Sequence, residues 1–564
     1  MKKSRGCIAC LTFTFFLGAC GEGTQKQADF AEPQIEAAKP GIIQTNNPLT
    51  QKITDDDFND LNPVEQYRIA NKLYSTVYKG LSVSTFFKLD SGLTTPESIN
   101  GGRFISTTIN RFQNDLSVEE KQRLDLAILG SDFVDSGTNH HYEGKFEFSR
   151  DKPRELPLAR IHVYPLSRSV FVQWMAWHLS NSILFSPAAE LDSADMNDVQ
   201  NVYRRLVNAI DSSTAIPQIV EAHMRSEENW RRFRSPEDNT REMMEVFLGF
   251  EDKDDEVPAA SAACQDWYLT SENEGYKLSF TDFPNTETQR VLDTDIISCN
   301  DFYHLVANHP NLVPHITRVL VGYFYAGKNF AEQAQITDAI VAEQPQTFEA
   351  LFGLIIFSSE YLLRSERQRS YEESFLPTAE RLRWSTHEDT FKSLASGRGS
   401  LYRSDMAEMG WPAMSAKLGR AAGIATDSLS FANFHKGYRE ELLLDSRRWS
   451  RPLGVEEQEP VNESEPRISQ AEYDRRTSLN TQLKIFSIDD LIDYLFLSVA
   501  QRRATAFEKQ SLTQLYDDNY YLRHEEERSY VRSGKMKELA RTTFDYLSRL
   551  SELYYLKASP GVSQ

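Results

Sequence analysis

Capping residues followed by apolar side chains at three- and four-residue spacing recur along this chain, and they constrain it to a helical fold. Asn62-Pro63-Val64-Glu65 joins an N-cap, a first-turn proline and a capping-box glutamate. Val64, Tyr67, Ala70, Leu73 and Val77 then fall on one helical face. Ser117 and Glu120 repeat the capping pattern. Helical spacing also covers 198–210, 240–248, 302–308, 313–325, 331–343, 347–363 and most of 487–556. Strand signals are sparse, with Arg160 to Tyr164 and Tyr276 to Phe280 the best candidates. No fixed-period repeat points to a solenoid. The expected class is mainly α, a large irregular multi-helix body with a few short strands.

Val170 to Phe185 is the most apolar run beyond the N-terminal leader, yet it carries Gln173, His178, Ser180 and Asn181. Those polar groups make it a buried core helix rather than a membrane span, and a satisfied core histidine is the default reading of His178.

The first twenty residues hold Lys2, Lys3 and Arg5, an apolar run from Ile8 to Leu17, and small residues before Cys20. This segment resembles the signal peptide of bacterial lipoproteins. The resemblance implies cleavage before Cys20, acylation of Cys20 and attachment to a membrane through lipid. Gly21 follows where an aspartate retains lipoproteins at the inner membrane, so the resemblance implies an outer-membrane lipoprotein facing the periplasm or the cell surface. Losing the leader takes the formal charge from -20 to -23 by removing three basic residues. So acidic a surface argues against nucleic acid as a partner, and it leaves membrane attachment to the lipid. Of the five cysteines, Cys264 and Cys299 alone stay free of leader and lipid, an even pair expected to bridge in an oxidising compartment.

The expected organisation is a leader at 1–19 and a lipidated cysteine with a flexible tether at 20–55. A main helical body follows at 56–446, with an inserted loop at 251–300. An exposed polar linker at 447–480 leads to a C-terminal helical segment at 481–560 that packs on the body.

Four stretches in one order carry a second resemblance. Trp177-His178 lies on the apolar helix. Ser235-Pro236-Glu237-Asp238-Asn239-Thr240-Arg241-Glu242-Met243-Met244-Glu245 precedes Phe247 and Gly249. His309-Pro310 precedes an amphipathic helix, and Gly410-Trp411-Pro412 precedes Leu418, Arg420 and Ala421. Together they resemble the bacterial domain-of-unknown-function 1800 family of exported proteins, of which this chain would be a divergent member. Ser180 stands where the family has a second histidine, and 282–290 holds no histidine where the family has a His-Asp element. The resemblance implies export and assigns no reaction.

Asn239 is the expected N-cap of a helix, with Glu242 closing a capping box and Gly249 ending it in a left-handed conformation. Arg241 and Glu245 lie outside that geometry, and with His178 and Glu242 they are the candidate catalytic set. His140, His141 and Glu143 are the candidate metal ligands, although adjacent side chains diverge, and His304, His309 and His315 are read first as helix-end caps. No cofactor motif, nucleophile elbow or phosphate loop is present. Tyr516, Tyr520, Tyr521, Tyr546, Tyr554 and Tyr555 would form an interaction surface if they shared one exposed face. The leading expectation is a binding or assembly factor of the envelope with a possible protein partner there. The alternative is an envelope enzyme, a metal-assisted hydrolase or oxidoreductase, using the His/Arg/Glu set.

Overall fold

A computed structural model describes residues 45–87, 99–129, 155–180, 182–184, 196–272, 275–382, 486–525, 528–553 and 555–559. Within them the fold is mainly α, with short antiparallel strand pairs. The leader, Cys20, the 447–480 linker and the tryptophan-proline element at 411–412 lie outside the described residues.

The order begins with α1 (Asp55–Asn59), α2 (Pro63–Thr76), α3 (Val83–Phe86), α4 (Phe104–Gln113), α5 (Val118–Leu129) and α6 (Glu155–Val163). It continues through α7 (Arg168–Ser180), α8 (Met196–Asp211), α9 (Ile216–Met224), α10 (Glu227–Arg232), α11 (Pro236–Leu248) and α12 (Val257–Ala263). After two hairpins come α13 (Cys299–Ala307), α14 (Leu312–Phe324), α15 (Phe330–Ala342), α16 (Phe348–Ile356) and α17 (Tyr371–Leu382). The last helices are α18 (Ile488–Ala500), α19 (Ala506–Asp518) and α20 (Met536–Leu547).

Local chemistry sets many of these boundaries. Asn62 caps α2, its side chain accepting from the Val64 and Glu65 amides while Pro63 occupies the first turn. Reciprocal capping boxes start α1 at Thr54 with Asp57, α13 at Ser298 with Asp301, α15 at Asn329 with Glu332 and α19 at Thr505 with Glu508.

Helix α7 forms the centre of the core, buried from Ser169 through Ser180. Phe171 and Trp174 stack on it, and Phe112, Phe357 and Phe352 meet them edge-on or tilted. No described helix is long and apolar enough to cross a membrane.

Four expectations change. Arg160 to Tyr164 is helical, in α6 and its end: Leu158 and Ile161 point inward three residues apart, while Arg160 and Tyr164 both bond Asp125 of α5. The tether stops short of residue 55. Thr50 and Ile53 are buried, the Ile53 amide donates to Phe357 O and the Ser359 amide to Gln51 O. The 251–300 insert is structured. It holds α12, the hairpin of β1 (Trp267–Glu272) with β2 (Gly275–Phe280), and the hairpin of β3 (Gln289–Val291) with β4 (Thr294–Ile296). Leu292 and Asp293, at φ of 47° and 61°, make the two-residue turn of the second hairpin, and Cys264 and Cys299 are bridged across the insert's ends. The helical pattern across 487–556 is interrupted by a third hairpin, β6 (Leu522–Glu525) with β7 (Arg528–Val531).

The two ends of the described chain meet. Strand β5 (Arg367–Gln368) pairs antiparallel with β8 (Tyr555–Leu556), and α18 packs against α17 and α3. This junction creates the site described next.

Candidate functional site

The residues singled out in the sequence do not assemble one site. Helix α11 starts a full turn earlier than expected. Ser235 is its cap, accepting from the Asp238 amide, because Pro236 fits the first helical position. Asn239 is therefore interior and buried: its amide donates to Ser235 O, and its side-chain oxygen accepts from the Tyr303 hydroxyl at 2.8 Å. The expected Asn239/Glu242 capping box does not form. Gly249 does end the helix at φ 71°, where a Cβ would strike the His315 ring.

Arg241 lies on the surface. It reaches Glu237 one turn back and Asp254 in the loop before α12, at 3.2 and 3.1 Å, and these carboxylates hold it charged, Asp254 foremost. Partial burial raises the Glu245 carboxyl, against the pull of Arg241. His178 instead sits in the core among Trp174, Tyr323, Phe324 and Phe352, with ring centroids 4.9 to 5.7 Å away. His178 is thus a core residue, while Arg241 and Glu245 belong to a solvated ion-pair face.

His140, His141 and Glu143 lie outside the described residues. Among those described, no three His, Cys, Asp or Glu side chains group to hold a metal ion. Tyr554 lies outside the described residues, and the other five tyrosines share no single patch. Tyr516 is buried against Thr543, Tyr520 is exposed, and the Tyr546 hydroxyl donates to Glu508.

A different constellation forms where α2 meets the β5–β8 pair and the end of α18. Positions 64, 65, 68 and 72 line one face of α2, and they form one wall of a cavity of about 280 Å³. Arg369, Ala500, Gln501, Arg502, Glu552 and the Tyr555-Leu556-Lys557 strand complete it. The volume lies just below the usual range of small-molecule sites, about 300–1,000 Å³.

The lining is basic in an acidic protein, with Arg68, Lys72, Arg369, Arg502 and Lys557 facing Glu65 and Glu552. Arg502 is neutralised by Glu508 and Glu552. Lys72 and Arg369 have only neutral acceptors: Lys72 donates to the carbonyls of Ser365 and Lys557, and Arg369 to those of Tyr555 and Glu373 and to the Gln501 side chain. Burial, then Arg367, pulls the Lys72 ammonium well below its usual range, and burial, then Arg381, lowers Arg369. Behind the wall, Arg381 is also buried on neutral acceptors, Ser498 O, Thr378 and Ser75. Arg367 and Glu373 form a closed pair behind it, bonded through both guanidinium Nη atoms at 2.8 and 2.6 Å and almost wholly buried.

Buried cations facing carbonyls are costly, because carbonyl dipoles replace only part of the lost hydration. Their convergence on a cavity suits an anion. The sequence reading missed this site because its parts come from 64–72, 369, 500–502 and 552–557. One local signal was present: α18 ends on Gln501 rather than glycine, at φ 58°.

No family model matches this chain, and no curated protein or solved structure matches it.

Proposed function

We propose that this protein is a lipid-anchored component of the bacterial envelope, at the outer membrane, that acts by binding rather than by catalysis. The observation that carries the binding half is the cavity beside α2, where Lys72 and Arg369 are buried on neutral acceptors. The leader ending at Cys20 supports the anchor, and the bridged Cys264–Cys299 pair agrees with an oxidising compartment. The resemblance to the domain-of-unknown-function 1800 family enters only as agreement with export. The enzyme alternative loses its support because His178 is enclosed by aromatic rings while Arg241 pairs with surface carboxylates.

Two measurements test the two halves. Metabolic labelling with an alkyne palmitate should mark the wild type and not C20S, and C20S should leave the membrane fraction. Labelling that survives C20S removes the anchor. Native mass spectrometry of the protein purified from envelopes should show a small-molecule adduct that dissociates on activation. An adduct-free protein that also turns over an envelope substrate would overturn the binding reading.

A further inference from the structure

Two residues that line the cavity beside α2, Arg68 and Gln501, each hold a buried hydrogen-bond donor that the protein leaves without an acceptor. Arg68 Nη2 is buried with no hydrogen-bond partner, and its nearest carboxylate oxygen, on Glu65, is 3.8 Å away. Glu65 is engaged elsewhere, accepting from Asn62 Nδ2 at 2.8 Å and from the Ser559 hydroxyl at 2.9 Å. Gln501 Nε2 is the second such donor. Its amide orientation follows from its neighbour: Arg369 can only donate, so Gln501 must turn Oε1 toward it, at 3.3 Å, and direct its NH₂ elsewhere. The backbone there is left-handed, a conformation a glycine would adopt without strain.

The two unmatched NH₂ groups, beside surplus positive charge, match the two oxygens of a single carboxylate. Around the charged end, Val64, Ala500 and Leu556 give the cavity apolar walls. We infer that the pocket takes a small organic monocarboxylate with a short apolar body, its carboxylate received by Arg68 and Gln501 and its body lying against Val64, Ala500 and Leu556. This inference rests on the binding reading above. The unmatched donors are closed off from water in the free protein, so side-chain rotation of Arg68 and Gln501 accompanies entry of the ligand.

Hexanoate is the probe, titrated calorimetrically into the full chain beside hexanol, hexylamine, butyrate and inorganic phosphate. Hexanoate should bind one to one and at least tenfold tighter than hexanol, with butyrate weaker by about fourfold per missing methylene. Arg68→Gln should weaken hexanoate about tenfold or more. Val64→Phe, which fills the apolar wall and moves no charge, should abolish it, and an unchanged melting curve would show that this variant folds. Phosphate binding more tightly than hexanoate would overturn the monocarboxylate while leaving a binding protein. Hexanol or hexylamine binding as well as hexanoate would do the same. No binding by any probe, together with an adduct in native mass spectrometry, would also sink the monocarboxylate and spare the reading it rests on. No binding by any probe and no adduct would remove both.

Discussion

The α11 surface and the α2–β5–β8 pocket are both rich in charged side chains, but they hold charge in opposite ways. On α11, Arg241 lies between Glu237 and Asp254, and solvent completes what these partners leave. At the pocket, Lys72, Arg369 and Arg381 are buried on carbonyls and hydroxyls, while Arg367 pairs with the buried Glu373 and Arg502 with Glu508. A solvated ion pair stabilises by about 0–1 kcal/mol, so its loss is nearly silent. A buried cluster tolerates no missing member, since each vacancy leaves a charge without hydration. The dense cluster of charged residues in the sequence is therefore the less consequential one, and the sparse, scattered one holds the site.

The widest separation between the two regions comes from Glu373→Gln. It leaves the Arg367 guanidinium buried without its counter-charge and should cost about 3–5 kcal/mol in denaturant unfolding. A loss under about 1 kcal/mol would mean that the pocket's charges are as well solvated as those of α11.

The Cys264–Cys299 bridge ties the end of α12, which packs on α11, to the start of α13. C264S with C299S should cost about 3–4 kcal/mol by loop-closure entropy, measured the same way. Binding at the pocket should stay unchanged in that variant, and a parallel loss of binding would tie the two regions together.

Acid offers a third contrast. Burial, then Lys79, lowers His162 to about 3, and burial foremost holds His223 well below its usual range, so both are neutral in the fold. The unfolded chain binds these protons near pH 6.5. Stability is therefore full above about pH 6.5 and falls as the pH drops toward 3, by up to about 1.4 kcal/mol per pH unit and per histidine. Replicate melts at pH 7, 6, 5 and 4 should show this slope, and H162Q should flatten part of it.

The smallest effect is expected at the most prominent sequence motif. Arg241→Ala should change stability by about 0.5–1 kcal/mol or less, because its ion pairs are exposed. A loss of several kcal/mol would restore α11 to the centre of the account.

The helices were largely legible because their start signals are local. Asn62-Pro63 and Ser117 carry their own capping chemistry within a few residues. The α11 boundary was misplaced because Ser235 and Asn239 are both good caps four residues apart, and Pro236 decides between them. The Arg160 to Tyr164 segment alternates like a strand, and only its contacts with Asp125 on another helix reveal the helical period. The pocket was illegible for a related reason. Lys72 and Arg369 read as ordinary surface cations until β8 closes beside β5 and buries them. Composition concealed it further, since an excess of acids hides a local excess of base.

Hydrogen exchange of the whole chain with and without saturating hexanoate tests most directly where the chemistry resides. The account predicts slowed exchange in 63–76, 500–503 and 551–557, with 236–256 unchanged. Protection confined to 236–256, with the α2 and β8 peptides unaffected, would contradict it.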